Sequence, residues 1–83
     1  MSTKLFVGSL PWSINDAGLK ERFEKHGSVL SAKIILDRET NRSRGFGFVE
    51  MENPTDATQA IKALHESSID GRSIVVNEAK SRN

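Results

Sequence analysis

The chain has 83 residues, twelve Lys plus Arg against eleven Asp plus Glu, and a net charge of +1, enough for one buried core and too little for two ordinary domains. It has no cysteine, which removes disulfides, thiolate metal sites and cysteine nucleophiles together, and its near-neutral balance rules out coating a polyanion by counterion release alone. No stretch is long and apolar enough to span a bilayer and Met1-Ser2-Thr3-Lys4 starts no leader pattern, so the expectation is a soluble, intracellular protein, cytoplasmic with the nucleus as the alternative, with no membrane partner; a monomer is also expected.

In chain order, Lys4 to Gly8 alternates, with Leu5 and Val7 on one side and Phe6 on the other, which is strand spacing. Asn15 or Ser13 then caps a helix whose apolar positions Leu19 and Phe23 stand four apart, with Gly27 as its stop. Val29 to Asp37 is rich in β-branched and aliphatic residues and is predicted as a second strand, with Ala32, Ile34 and Leu36 on one parity and Lys33 and Ile35 on the other. The polar run Arg38 to Ser43 is a loop, and Arg44 to Met51 is a third strand. Asn53-Pro54 opens a second helix with Ala57, Ala60, Ile61 and Leu64 on one face. Asp70-Gly71 is a tight-turn dipeptide, and Ile74 and Val76 supply the inward side of a last strand.

The order strand, helix, strand, strand, helix, strand predicts an α+β, ferredoxin-like βαββαβ fold: a four-stranded antiparallel sheet with two helices on one face and nothing on the other. One domain is expected over residues 1–83, its core over about residues 4–79 and a short tail over residues 80–83.

The third strand carries the informative chemistry. Parity divides it into Arg44, Phe46, Phe48 and Glu50 on one face and Gly45, Gly47, Val49 and Met51 on the other. Burying the phenylalanines would bury Arg44 and Glu50 with them and expose Val49 and Met51, inverting the usual cost of desolvating charge. The phenylalanines are therefore expected to point outward, and the glycines to serve a face lying close under two helices. Phe6 stands opposite in parity to Leu5 and Val7, and in this topology the first and third strands are central neighbours. Three rings then share one uncovered face, an apolar patch of the kind that marks a binding surface. Bases stack on such rings, and neighbouring Arg and Lys reach phosphates.

Arg44-Gly45-Phe46-Gly47-Phe48-Val49-Glu50-Met51 resembles the octamer signature of the RNA recognition motif family, and Leu5-Phe6-Val7-Gly8-Ser9-Leu10 resembles its partner hexamer. The resemblance covers about Lys4 to Ala79, with Asp37-Arg38-Glu39-Thr40 and Val76-Asn77-Glu78-Ala79 most similar to short bacterial and glycine-rich members. It implies single-stranded RNA as the partner, Phe6 and Phe48 stacking on successive bases, Phe46 packing on the sugars between them and Arg44 pairing with a phosphate. It also implies that Glu78, Ala79 and Lys80, just past the last strand, cross the bound base. The octamer ends in Met51 where an aromatic is usual, a departure that parity assigns to the core. The glycine-rich tail of such members is not expected here, and any tail-dependent role is left open.

Around the platform, Lys4 and Lys33 are the expected cations and Asn77 is a candidate for a base edge. Arg38 and Arg42 are expected to embrace the RNA from their loop, and Trp12 is expected to pack at a helix entrance, with stacking as its second reading. His26 and His65 lie on different helices without partners at ligand spacing, so no metal, cofactor, small-molecule substrate or enzymatic activity is expected. Gly45-Phe46-Gly47 lacks the third glycine and the helix start of a nucleotide loop. Single-stranded DNA and a protein-interaction module of the same fold remain the competing readings. The expected site holds about two to four nucleotides with micromolar affinity, near −8 kcal/mol.

Overall fold

In the computed structural model, which describes residues 2–79, eight elements follow one another: β1 (Thr3–Gly8), α1 (Asp16–Glu24), β2 (Val29–Leu36), β3 (Ser43–Met51), α2 (Pro54–Leu64), β4 (Ser68–Ile69), β5 (Arg72–Ser73) and β6 (Val75–Glu78). The main sheet has the order β2-β3-β1-β6 and every pairing in it is antiparallel. The βαββαβ expectation holds, with β1 and β3 in the centre. The short hairpin β4–β5 is an addition to it. Its arms are two residues each, too short for any period to show, while its turn at Asp70 (φ 51°) and Gly71 (φ 84°) is the left-handed pair that a two-residue hairpin needs.

The core lies between the sheet and the helices. Leu5 and Val7 of β1, Val49 and Met51 of β3, Ile34 of β2 and Val76 of β6 face Leu19 and Phe23 of α1 and Ala57 and Ala60 of α2, all buried. Met51 is fully buried, so the unusual end of the octamer is a packing residue, as its parity requires. Among the described residues no polar or charged residue is buried, so the core is held by apolar packing alone.

Local hydrogen bonds fix where the helices begin. Asn15 is the cap of α1, its side-chain oxygen accepting from Gly18 N–H at 2.8 Å. Ser13 is engaged elsewhere, by a hydroxyl bond to the Asp70 carboxylate. Asn53 caps α2 by accepting from Thr55 N–H at 2.8 Å, with Pro54 in the first position. Gly27 plays a different part from the expected helix stop. Helix α1 has already ended at Lys25, and a Cβ at position 27 (φ 154°) would lie 2.5 Å from the Asp56 side chain, so this glycine makes room for the first turn of α2.

Two side chains tie helices to strands. Asp16 Oδ1 accepts from Ile34 N–H of β2 at 2.7 Å, and His65 Nδ1 at the end of α2 accepts from Val76 N–H of β6 at 3.1 Å. Each satisfies a backbone donor on an outer strand of the sheet. No helix among the described residues is long and apolar enough to cross a membrane.

Candidate nucleic-acid interface

Strand register builds the site. Phe6 of β1 stands directly opposite Phe48 of β3, Phe48 is opposite Lys33 of β2, and Phe6 is opposite Asn77 of β6. One continuous row, Lys33, Phe48, Phe6, Asn77, therefore crosses all four strands on the face away from the helices, as alternation demands. Phe46 is opposite Gly8 in the neighbouring row.

The three rings form one cluster. Phe6 lies 5.8 Å from Phe46 and 5.8 Å from Phe48 by ring centroid, and Phe46 lies 6.2 Å from Phe48. The two contacts of Phe48 are edge-on and the Phe6–Phe46 contact is tilted, the arrangements aromatic quadrupoles prefer. Each phenylalanine is half-buried by the others. Gly8 is part of the device: a Cβ there would lie 2.9 Å from Phe6 Cε2 and press on the ring where it now leans over the glycine. The hexamer's glycine was legible as a strand end but not as a seat for the neighbouring ring, because side-chain lean does not show in parity.

The glycines of β3 serve other ends than lying beneath helices. Gly45 has φ 89°, which disfavours any side chain, and its surroundings are open, the nearest atom to a built Cβ being Leu10 O at 3.9 Å. A Cβ at Gly47 would lie 2.5 Å from the Lys33 carbonyl oxygen. The close approach is made by the backbone of β2, beside the register shift between Ile34 and Leu36.

Around the rings, Lys4 Nζ lies 5.9 Å from the Phe48 centroid, a cation–π distance. Lys33, Asn77 and Arg44 are exposed on the outward set. Glu78 is opposite Leu5 in the register, yet it is exposed and lines the cleft beside Phe48 together with Lys4 and Ala79. Ala79 donates its N–H to Lys4 O at 2.8 Å and continues the sheet edge. Lys80 lies outside the described residues. Beside Phe48 a cleft of about 470 Å³ opens, walled by Lys4, Glu50 and Ala79 among others.

The loop between β2 and β3 is ordered by Asp37. Its carboxylate accepts from Glu39 N–H at 2.8 Å and Thr40 N–H at 3.2 Å. Asp37 N–H also donates to Arg42 O at 2.7 Å across the loop. Arg38 is exposed at the tip of this loop, while Arg42 turns to Trp12, its guanidinium carbon 5.6 Å from the indole centroid. Trp12 is not packed at a helix entrance as expected: it is 73% exposed, because Pro11 before it is buried and takes the inward position of that turn. Among the described residues no group of three or more His, Cys, Asp or Glu is placed to hold a metal ion.

Comparison with known proteins agrees with this geometry. Residues 5–75 match the family model described as RNA recognition motif. The chain is 51% identical over 79 residues to glycine-rich RNA-binding protein blt801 of Hordeum vulgare, an alignment covering 95% of this chain and 49% of that protein. A crystal structure described as RNA Binding Protein PG1 superposes with a TM-score of 0.92 at 43% identity, covering 98% of both chains. A Sex-lethal protein/RNA complex superposes with a TM-score of 0.87 at 35% identity over 93% of this chain and 47% of that one. The chain spans from 26% to 52% of the length of the curated relatives it matches. With the βαββαβ order, the two signature segments side by side at the centre of the sheet and a family match across most of its length, the chain belongs to the RNA recognition motif family.

Proposed function

We propose that this domain binds single-stranded RNA across the outer face of its sheet, as a binding module whose affinity comes chiefly from stacking. The observation that carries the reading is the row Lys33, Phe48, Phe6, Asn77, with Phe46 completing a ring cluster at 5.8–6.2 Å on a face no helix covers. Phe6 and Phe48 offer adjacent π-surfaces for successive bases, and Phe46 beside them suits the sugars. Lys4, Lys33 and Arg44 flank the rings where phosphates would run, and Asn77 and the backbone at Glu78 and Ala79 border the base edges. A sheet of this kind with aromatic side chains on its open face is the common platform for splayed single-stranded bases.

The test is fluorescence anisotropy with a mixed-sequence RNA octamer and its DNA counterpart, on the wild type and on Phe46→Ala/Phe48→Ala, after circular dichroism has shown both proteins folded. The double variant is expected to lose about 2 kcal/mol or more of RNA affinity, since one base–aromatic stack is worth about 1–3 kcal/mol. Equal binding by the two folded proteins would remove the sheet face from the argument. Tighter binding of RNA than of DNA would identify contacts to the 2′-hydroxyl.

A further inference from the structure

Beyond the row of rings lies a second outward row of different chemistry. Two residues along the strands from the pair Phe6 and Phe48, Lys4 of β1 stands directly opposite Glu50 of β3, and Glu50 is opposite Ser31 of β2. Opposite charges facing each other across a strand pair attract, yet Lys4 and Glu50 form no ion pair. The Lys4 ammonium turns over the Phe48 ring, 5.9 Å from its centroid, and Glu50 instead accepts a hydrogen bond from the Ser2 hydroxyl. Glu50 is half-buried and lines the cleft beside Phe48, as does Glu78. Among the lining residues two carboxylates stand against one ammonium, a balance that repels a phosphate and favours N–H donors.

We infer that Glu50 is a specificity-determining residue of the sheet face and that it selects guanine for the base stacked on Phe48. The inference rests on the RNA reading of that face and deepens it by naming the base. Glu50 follows Phe48 by two residues on the same face, about 7 Å at roughly 3.3 Å per residue, so a purine stacked on the ring brings its Watson–Crick edge to the carboxylate. Guanine alone among the four bases offers two adjacent N–H donors there, N1–H and the 2-amino group. A carboxylate accepts both side by side, in the bidentate geometry it otherwise gives to arginine, and such charge-assisted bonds are the strong ones. Adenine and cytosine set a ring-nitrogen acceptor beside their one amino group, and uracil flanks its one N–H with two carbonyls. Each of these brings an acceptor against the charged acceptor of Glu50 in a half-buried place, where an unmatched polar group is costly. The Ser2 hydroxyl holds the carboxylate in position before the base arrives. Stacking of the base displaces the Lys4 ammonium from the face of Phe48 and leaves it to the adjoining phosphate.

The experiment compares labelled RNA octamers by fluorescence anisotropy with the full chain: oligouridine throughout, and the same octamer with one central guanosine, inosine or adenosine. Inosine keeps N1–H and the carbonyl of guanosine and lacks only the 2-amino group. The guanosine octamer is expected to bind about tenfold more tightly than oligouridine, the size of one good bidentate contact to a base edge. The inosine octamer is expected to lose most of that gain, and the adenosine octamer all of it. Glu50→Gln, shown folded by circular dichroism, is expected to bring the ratio of guanosine to inosine affinity close to one, a ratio that cancels the general effect of removing a negative charge. Glu78→Gln is expected to keep the wild-type ratio. If guanosine binds no more tightly than inosine or uridine, if Glu50→Gln keeps the ratio, or if Glu78→Gln abolishes it instead, the assignment to Glu50 is wrong while the platform stands. If wild type and folded Phe46→Ala/Phe48→Ala bind every octamer equally, the platform itself fails, and the guanine reading falls with it.

Discussion

The carboxyl of Asp37 is held below the usual carboxylate range by the backbone N–H groups of Glu39 and then Thr40, with the positive charge of Arg44 adding a smaller pull. A depressed pKa contributes order that is fully present above the ordinary carboxylate value, about 3.9, and is lost as pH falls through the lower value of the folded chain. The loop bearing Arg38 and Arg42 is therefore expected to loosen below about pH 4. The amide resonances of Glu39 and Thr40 should move together in an NMR pH titration, and Asp37→Ala should show the loosened positions already at neutral pH. An unchanged pair of amides across that range would mean the Asp37 turn does not set the loop. At this scale the sequence was informative about which face a side chain takes and poor on why a small residue is needed. Phe6, Phe46 and Phe48 were placed by parity, because two charged residues share the face of Phe46 and Phe48. Trp12 was misplaced, because nothing in its neighbours tells which of Pro11 and Trp12 turns inward.

Strands and helices were legible wherever period and caps coincided, as at Asn53-Pro54 before α2 and in the alternation of β3. The arms of the β4–β5 hairpin escaped notice because two residues have no period, although its Asp70-Gly71 turn was legible. The register shift in β2 escaped for another reason: a bulge changes pairing without changing composition. Gly47 shows what that shift demands. Its missing side chain lets the Lys33 carbonyl approach to a distance no Cβ tolerates, and the obstructing atom is backbone, which cannot swing away. Gly47→Ala is expected to destabilise the fold by about 1–3 kcal/mol, as overpacking of a tight site does. Urea denaturation followed by circular dichroism measures it, and a midpoint equal to the wild type would show that β2 and β3 can part without loss. Because Lys33 and Phe48 face each other across this same pair of strands, the variant should also weaken RNA binding in proportion to the shift between them.

The whole molecule sorts its charge so that a net of +1 coexists with a local concentration of arginines at one end of the sheet. Binding dominated by the rings should therefore depend only shallowly on salt. Two or three phosphate contacts give a slope of log affinity against log salt of roughly −1.4 to −2.1, at about −0.7 per contact for single strands. Anisotropy titrations with the octamer between low and physiological salt check this. A slope corresponding to six contacts would transfer the main role from the phenylalanines to the arginine-bearing loop.

The bond from Ile34 N–H to the Asp16 carboxylate has a meaning beyond the fastening of α1 to the sheet. Strand β2 ends the sheet on one side, and it carries Leu30 and Leu36 at 54% and 50% exposure. An outer strand with open amides and exposed leucines is a template on which another chain's strand can grow. Asp16 occupies one of those amides with a charged acceptor, two residues before the strand ends, so a foreign strand would have to displace a carboxylate to add itself there.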